Sequence, residues 1–332
     1  MSGYSFSRKP IEVPLVKTKN RSIQTQIPAP GTEDILAKLD NYESRSMQGT
    51  VPLVWERAQG FNVFDPKGNK WIDFTSAIFI ANIGHSNPRF IKLVREALDK
   101  NLVHHFTYPS QIKARYYEKL VQFTDGEFDK AFLLSGGTEA TEAALKLMRM
   151  NGQRIGKKRL GIISMEGSFH GRTMGAQFLG GIQAQKEWIG YVDKDIFHVR
   201  FPYPWILEEG TSPEEFFESE LKVLENNGVC LETDICGVIF EVFQGWASLF
   251  YPEGFMKAVE SFCRTKKILL TMDEVQSGFA RTGVKFGYQH YGIHPDLICC
   301  GKGMGSGVAL SGVLGKREIM DIPDVGMMSS TN

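Results

Sequence analysis

The spacing of hydrophobic and polar positions changes along the chain. Between residues 51 and 75 the two types alternate around a turn at 65–69, which is typical of a β-meander. Beyond residue 88, amphipathic stretches alternate with short apolar runs. The pattern predicts helices at 31–44, 88–101, 110–124, 138–150, 213–226 and 253–265, and strands at 131–134, 160–164, 235–240, 268–272 and 297–300. Strands alternating with helices indicate an α/β fold with a mainly parallel, buried sheet.

Composition excludes several classes of protein. The chain has 332 residues, with 38 Lys+Arg against 38 Asp+Glu, so bulk electrostatic binding to nucleic acid or an anionic membrane is not favoured. Its 42% of hydrophobic residues suffices for a core. The five cysteines form no CxxC motif, which argues against a disulfide framework or a zinc site. We find no secretory leader and no apolar run of spanning length, and therefore expect a cytoplasmic protein.

A glycine-rich segment, Ser135-Gly136-Gly137-Thr138-Glu139-Ala140, follows the apolar run that ends at Leu134 and begins a helix. Glycines allow a tight turn, and the free N–H groups of a first helical turn bind anions. The segment therefore predicts a phosphate site. An ordinary helix start, in which Glu139 completes a capping box, is the alternative reading of the same residues.

A carboxylate and a lysine follow two other predicted strands. Asp273 comes directly after the run Ile268-Leu-Leu-Thr-Met272, and Lys302 follows Leu297-Ile-Cys-Cys300 between Gly301 and Gly303. Taken singly, Asp273 could be a turn residue and Lys302 a surface lysine. Together with the phosphate site they match the needs of pyridoxal phosphate: a lysine for the Schiff base, a carboxylate for the pyridine nitrogen and a cradle for the phosphate.

The sequence resembles the class III (ω-amino acid) aminotransferases of pyridoxal-phosphate fold type I. Four motifs in family order carry this resemblance: Gly136-Gly-Thr-Glu-Ala140, Phe169-His-Gly-Arg-Thr173, Asp273-Glu-Val-Gln-Ser-Gly278 and Gly301-Lys-Gly303. The resemblance implies a large domain with a mainly parallel sheet flanked by helices. It assigns residues 86–332 to this cofactor-binding domain, and residues 1–85 to an N-terminal arm and part of a small α+β domain.

The resemblance also implies roles for individual residues. Lys302 is expected to form the Schiff base and shuttle the proton, and Asp273 to pair with the pyridinium nitrogen. The cofactor-binding set is Gly136, Gly137, Thr138, Phe169, His170, Asp273, Val275, Gln276, Lys302 and Thr331. The substrate-binding set is Arg172, Glu241, Ile78 and Trp246, and no metal is expected.

Within these sets, Phe169 and Val275 are expected to contact the two faces of the cofactor ring, and Gln276 its hydroxyl. Thr331 matches a threonine that reaches the phosphate in the neighbouring subunit, so a homodimer with shared active sites is implied. For His170 a structural or packing role is favoured over catalysis. Glu241 matches a glutamate that often pairs with the arginine represented here by Arg172, a candidate for binding the substrate carboxylate.

Two departures from the family pattern stand out. Where the family has Glu-Pro-Val-Gln-Gly-Glu-Gly, this chain has Glu241-Val-Phe-Gln-Gly-Trp246-Ala. The second glutamate neutralises a C-terminal arginine in members that use 2-oxoglutarate, and a tryptophan carries no charge. We therefore expect altered acceptor choice, with pyruvate plausible. The chain also stops at Asn332, where the family continues into a C-terminal small domain, so a fragment is expected.

The predicted activity is transfer of an amino group from an ω-amino acid or amine to a 2-oxo acid. Fold and cofactor site do not separate this activity from an aminomutase or a decarboxylase. A truncated, non-catalytic paralogue that only binds the cofactor is a further alternative, motivated by the chain length. A nicotinamide enzyme is disfavoured because its glycine fingerprint is absent.

Overall fold

The computed structural model of the protein describes residues 6–47, 51–103 and 107–328. Its internal contacts divide the chain into two units, Met1–Val103 and His104–Asn332. The boundary between the two units lies at 103/104, later in the sequence than the expected boundary at 85/86. The difference arises because the contacts assign the helix Pro88–Leu98 to the first unit. The roles of the two units as enzyme domains remain a prediction.

The first unit contains a small antiparallel sheet. Its strands are β1 Val16–Lys17, β2 Ser22–Ile23, β3 Arg57–Gln59, β4 Asn62–Phe64 and β5 Lys70–Ile72, in the order β1-β2-β5-β4-β3. Strands β3 to β5 form the expected meander. The N-terminal segment, expected to be only an arm, contributes β1 and β2, because Ser22 pairs with Lys70.

The remaining elements of the first unit are the helices Glu33–Tyr42 and Pro88–Leu98 and the short turn Ser76–Phe79. All four residues of this turn have positive φ. The Asp73 carboxylate fixes the turn by accepting hydrogen bonds from the backbone N–H groups of Thr75 and Ala77, each at 2.9 Å.

The second unit is built on a seven-stranded sheet with the order β6-β14-β13-β12-β9-β7-β8. Its strands are β6 Lys130–Leu134, β7 Gly161–Met165, β8 Ile196–Val199, β9 Ile235–Glu241, β12 Leu269–Asp273, β13 Leu297–Cys300 and β14 Ser311–Gly315; β10 Phe243–Gln244 and β11 Leu249–Phe250 pair separately. Only β14 runs against its neighbours, β13 and β6. The mainly parallel sheet is thus confirmed, whereas the strands β8 and β14 were not predicted from the sequence.

Helices cover both faces of this sheet. They are Gln111–Phe123, Gly137–Arg154, Met174–Leu179, Pro213–Asn226, Leu231–Asp234, Phe255–Lys266 and Arg317–Met320. Two apolar clusters fill the space between helices and sheet. The central strands β9 and β12 are buried along their whole length, as expected for parallel strands covered on both faces. Among the described residues, no helix is long and apolar enough to cross a membrane.

Strand register aligns the ends of the central strands. Asp273 at the end of β12 pairs with Glu241 at the end of β9 on one side and with Cys299 of β13 on the other. Because parallel strands point the same way, their carboxyl ends form one edge, which is where ligands bind in open α/β sheets. The fold therefore brings the predicted carboxylates and the segment after β13 to the same edge.

At the opposite edge of the sheet, where the parallel strands begin, Asp296 joins neighbouring elements. Its carboxylate accepts hydrogen bonds from the Leu270 N–H of β12 at 2.8 Å and from the Arg264 guanidinium at 2.6 Å. We expect Asp296→Ala to lower the free energy of unfolding by about 2–3 kcal/mol, because it leaves a buried N–H without an acceptor. Equilibrium denaturation measures this loss. Asp321→Ala, which removes an exposed ion pair with Lys130, is the matched control and should cost under about 1 kcal/mol. Equal losses in the two variants would contradict the assignment.

Candidate functional site

A cavity of about 290 Å³ lies in the second unit. It is lined by Gly137, Thr138, Phe169, His170, Gly171, Arg172, Glu241, Val242, Phe243, Asp273, Val275, Gln276, Ser277 and Lys302. The lining therefore comes from the carboxyl ends of β9, β12 and β13, the loop after β7 and the start of the helix Gly137–Arg154. Most of the sequence-predicted site residues meet here.

One wall of the cavity is the N-terminus of the helix Gly137–Arg154. The Glu139 carboxylate accepts a hydrogen bond from the Gly136 N–H at 2.6 Å, so the capping reading of this segment holds as well. The N–H groups of Gly137 and Thr138 come next, in the first turn of the helix. N–H groups at this position have no acceptor within the helix, and together with the helix dipole they favour an anion. The predicted phosphate site and the helix cap therefore share the same turn.

Thr138 is fixed by the loop that carries the second motif. Its Oγ1 accepts hydrogen bonds from the N–H groups of Arg172 and Thr173, each at 3.2 Å, and lies 2.7 Å from the Thr173 hydroxyl. Gly171 has φ of 133°, and a Cβ there would come within 2.1 Å of Thr138 Oγ1. A glycine is thus required for the two loops to approach each other. Sequence reasoning missed Gly171 and Thr173, although both lie inside the quoted motif.

The end of β12 carries a buried carboxylate with a buried partner. Asp273 Oδ2 lies 2.8 Å from Nδ1 of His170, and its Oδ1 accepts the Val275 N–H at 3.0 Å. His170 is 3% exposed and its Nε2 lies 3.3 Å from the hydroxyl of Ser164. The ring of His170 therefore positions Asp273 and supplies a donor to it. This contact refines the expected packing role of His170, and nothing in the sequence pointed to Ser164.

Lys302 begins the turn that follows β13. Its φ is 41°, an uncommon value for a residue with a side chain. Burial lowers the pKa of its ammonium group, while the nearby Asp273 and Glu241 carboxylates act in the opposite direction. A partly desolvated amine with a lowered pKa holds more of its neutral, nucleophilic form, as lysines that react with carbonyl groups require.

Glu241 is buried at the end of β9. Burial raises the pKa of its carboxyl group to about 7, with the negative charge of Asp273 adding to the effect and His170 opposing it. Its Oε2 accepts the Phe169 N–H at 3.1 Å. The expected pairing with Arg172 is not seen among the described residues. The Arg172 guanidinium instead lies over the Phe169 ring, 5.1 Å from its centroid.

The floor of the cavity is closely packed around Val275. A Cβ on Gly137 would lie 2.7 Å from Val275 Cγ1, and one on Gly301 would lie 3.2 Å from the same atom. The two glycines therefore allow the helix start and the lysine turn to close on the Val275 side chain. This contact fixes the distance between the anion-binding turn and Lys302.

Four predicted residues are not brought into the cavity lining, and the first of them, Gly136, is the N-cap residue directly before Gly137. Ile78 belongs to the first unit, where 65% of its surface is exposed. Trp246 is 64% exposed and lies beside Gly167, since its Nε1 is 3.3 Å from the position of a Cβ there. Thr331 lies outside the described residues. Within the described chain, no group of acidic, His and Cys residues could hold a metal ion.

Glu274, the residue after Asp273, has a structural role that sequence reasoning did not anticipate. Glu274 is fully buried, and its carboxylate accepts the N–H groups of Gly287 at 2.9 Å and Tyr288 at 2.8 Å as well as the Ser277 hydroxyl. These bonds fasten the segment that follows Val275 and Gln276. Burial nevertheless raises the pKa of Glu274 to about 7.

This pKa predicts a pH-dependent stability. Because the folded state holds the Glu274 proton more tightly than the unfolded state, its contribution is full below about pH 4.5 and is lost as the pH rises through 7. The loss is at most about 3 kcal/mol. We expect the stability of the wild type relative to Glu274→Gln to fall between pH 5 and pH 8 in chemical denaturation. The exposed Glu318→Gln should show no such trend, and a flat difference for Glu274 would refute the prediction.

Comparison with known proteins agrees with this site. The Aminotransferase class-III family model matches residues 43–332. A probable 4-aminobutyrate aminotransferase of Bacillus subtilis is 31% identical over 304 residues, which are 89% of this chain and 68% of that protein. The chain thus spans about two thirds of the length of this relative.

Solved structures share the fold. A thermostable (S)-enantioselective omega-transaminase from Thermomicrobium roseum superposes with a TM-score of 0.80 at 29% identity, covering 90% of this chain and 70% of that one. Taurine:2-oxoglutarate aminotransferase from Bifidobacterium kashiwanohense, solved with PLP and glutamate, gives 0.78 at 27% identity, covering 87% and 66%. The chain belongs to the class III aminotransferases of fold type I, enzymes that transfer amino groups with pyridoxal phosphate as cofactor.

Proposed function

We propose that the second unit holds pyridoxal phosphate in the cavity described above, with Lys302 and Asp273 as the catalytic residues, and uses it to move an amino group from an ω-amino acid or amine to a 2-oxo acid. One observation carries the assignment. The half-buried lysine with a lowered pKa, the strand-end carboxylate with its His170 partner and a helix N-terminus all line one cavity. Each supplies one of the three groups that this cofactor needs.

The groups that line the cavity match each part of the cofactor. The first turn at Gly137 and Thr138 suits its phosphate, since the N–H groups and the dipole favour an anion. Asp273 suits the protonated pyridine nitrogen, because its carboxylate lines the cavity and is held in place by His170. Phe169 and Val275 supply apolar contacts for the two ring faces. When bound, the cofactor supplies an electron-withdrawing ring that stabilises negative charge on the substrate carbon beside the nitrogen.

Lys302 has two tasks in this proposal. Its neutral amine would hold the cofactor through the aldehyde carbon, and the same amine, when free, would carry the proton that the substrate carbon loses. Both tasks need an amine that changes protonation state near neutral pH, which burial promotes and the Asp273 and Glu241 charges limit. Lys302 is therefore assigned as base, acid and nucleophile of the reaction.

Arg172 is the candidate for the substrate carboxylate. It lines the cavity, and its guanidinium is stacked over Phe169 instead of being neutralised by Glu241. A planar fork of donors suits a carboxylate. This placement supports an amino donor or an oxo acid that carries a carboxylate. Ile78 remains a proposed substrate contact on the basis of the sequence resemblance.

The homodimer with shared active sites, in which Thr331 reaches the neighbouring phosphate, also remains a proposal from the resemblance. A cytoplasmic location is proposed on the basis of the cysteines. All five are free, and four of them are buried, as expected for a protein of a reducing compartment.

Covalent labelling tests the function directly. On addition of pyridoxal phosphate to the purified chain, we expect a visible absorption band, and borohydride reduction should fix the cofactor mass on the peptide that contains Lys302. Lys302→Ala should lose both signals. Lys316→Ala, at the far end of β14, should keep them. Attachment to other lysines, or a band that persists in Lys302→Ala, would rule out the assignment.

Acceptor choice tests the role of Trp246. Because a tryptophan cannot neutralise an arginine, we expect the wild type to react faster with alanine than with glutamate in single-turnover half-reactions. In a protein that carries the arginine of the family's C-terminal domain, Trp246→Glu should shift this ratio toward glutamate by about tenfold, the effect of roughly 1.4 kcal/mol. Trp246→Phe is the control, since it retains an uncharged aromatic ring and should keep the preference for alanine. A strong preference of the wild type for glutamate would contradict the role proposed for Trp246.

A further inference from the structure

Two contacts of the Ser164 hydroxyl determine where a buried proton lies. Ser164 is fully buried in β7, and its Oγ lies 2.7 Å from the carbonyl oxygen of Leu179 and 3.3 Å from Nε2 of His170. A carbonyl oxygen can only accept, and a hydroxyl has a single proton to donate. The Ser164 proton is therefore committed to Leu179, and toward His170 the hydroxyl can only accept.

The other donors around the Leu179 carbonyl agree with this direction. Leu179 ends the helix Met174–Leu179, where carbonyl groups lack an N–H partner within the helix. This carbonyl accepts from the Ser164 hydroxyl and from Nε2 of His198 at 3.1 Å, which fills its two lone pairs. The reverse arrangement, with the Ser164 proton on His170, would leave two oxygen atoms 2.7 Å apart without a proton between them. Nε2 of His170 therefore carries a proton.

The second ring nitrogen of His170 needs a proton as well. Nδ1 lies 2.8 Å from Oδ2 of Asp273, a distance that requires a proton between the two atoms. Imidazole is a stronger base than a carboxylate, and the Val275 N–H already donates to Oδ1 of Asp273, which favours the ionised acid. The shared proton therefore belongs to the ring.

We propose that Ser164 is a positioning residue that keeps both nitrogens of His170 protonated, so that the ring is a cation paired with the Asp273 carboxylate in the cofactor-free protein. His170 then donates to Ser164 at one end and to Asp273 at the other. A ring anchored at both ends fixes the direction in which the carboxylate faces the cavity. Only this last consequence, the aim of Asp273 at the cofactor nitrogen, rests on the proposed function.

The charges around the imidazole ring are compatible with a cation. Asp273 on β12 and Glu241 at the end of β9 favour a positive charge on the ring. His198 on β8 would oppose it if charged, but burial lowers the pKa of His198 to about 4 and leaves it neutral at pH 7. Lys302 and Arg172, which line the same cavity, also oppose a positive ring. Asp273 is in direct hydrogen-bond contact with the ring, and a charge at that distance has the strongest effect.

Nitrogen-15 NMR of the histidine-labelled, cofactor-free chain tests the two protons. At pH 7.5 we expect both ring nitrogens of His170 to carry directly bonded protons, whereas a neutral histidine carries one. His170→Asn identifies these signals among the seven histidines of the chain. In Ser164→Ala the Nε2 proton loses its acceptor, and we expect only the Nδ1 proton to remain.

Ser168→Ala is the matched control for this experiment. Ser168 is a neighbouring buried serine whose Oγ lies 3.4 Å from Ser164 Oγ and 3.4 Å from the Leu179 carbonyl oxygen. Its removal leaves the acceptor of His170 in place, so both ring protons should persist. The wild-type spectrum alone can overturn the proposal, since a ring with a single proton contradicts it. A Ser164→Ala chain that keeps both protons contradicts it as well.

Binding of pyridoxal phosphate tests the aim of Asp273. Ser164→Ala should raise the Kd by about three- to tenfold, because the ring that holds Asp273 has lost one of its two anchors. Ser168→Ala should leave the Kd unchanged. An unchanged Kd in Ser164→Ala would refute the positioning role. If the wild type shows no Lys302-dependent binding at all, the proposed function fails, and the NMR arm alone decides whether Ser164 sets the protons of His170.

Discussion

The hydrogen bond between Asp273 and His170 is the contact on which the rest of the site depends. A carboxylate that is 5% exposed needs a partner, because an isolated buried charge is strongly destabilising. His170 supplies that partner at 2.8 Å. The strand register then fixes Glu241 and Cys299 on either side of Asp273, so the geometry of the whole edge follows from where this aspartate is held.

Close backbone approach is the second constraint. Gly137 and Gly301 meet around Val275, and Gly171 meets Thr138; a Cβ would overlap its neighbour at Gly137 and Gly171 and would be crowded at Gly301. These positions require glycine mainly because it lacks a side chain, and less because it is flexible. They allow elements that begin far apart in the sequence to place a helix N-terminus, an aspartate and a lysine around one small cavity. An added methyl group at Gly137 or Gly171 would have to displace the contact that sets the site.

The sequence was most informative where chemistry and chain position coincide. Asp273 and Lys302 could be placed because each follows a short run of apolar residues that is typical of a buried strand, and parallel strands end at a common edge. The strand β14 could not be found in the same way. It inserts antiparallel between β6 and β13, and that choice is made by long-range pairing that leaves no local pattern.

Side-chain partners were the least predictable part of the site. His170 was expected to pack, and its bond to Asp273 depends on a contact across 103 residues of sequence. Glu241 was expected to meet Arg172, but backbone N–H groups near it compete for the carboxylate, and Arg172 finds the Phe169 ring. Such choices are decided by local geometry among groups of similar chemistry, so composition and periodicity carry no information about them.

The charge distribution around the cavity also fixes the direction in which a phosphorylated ligand can bind. Both buried carboxyl groups lie at the strand ends, where a phosphate would be repelled by Asp273 and would gain no backbone donors. The helix start at Gly137 and Thr138 offers N–H groups and the positive end of the dipole instead. Glu139 leaves these two donors available, because its carboxylate accepts the Gly136 N–H. An anion at the helix start and a protonated nitrogen at Asp273 are therefore complementary, and the reverse orientation would oppose like charges at both ends.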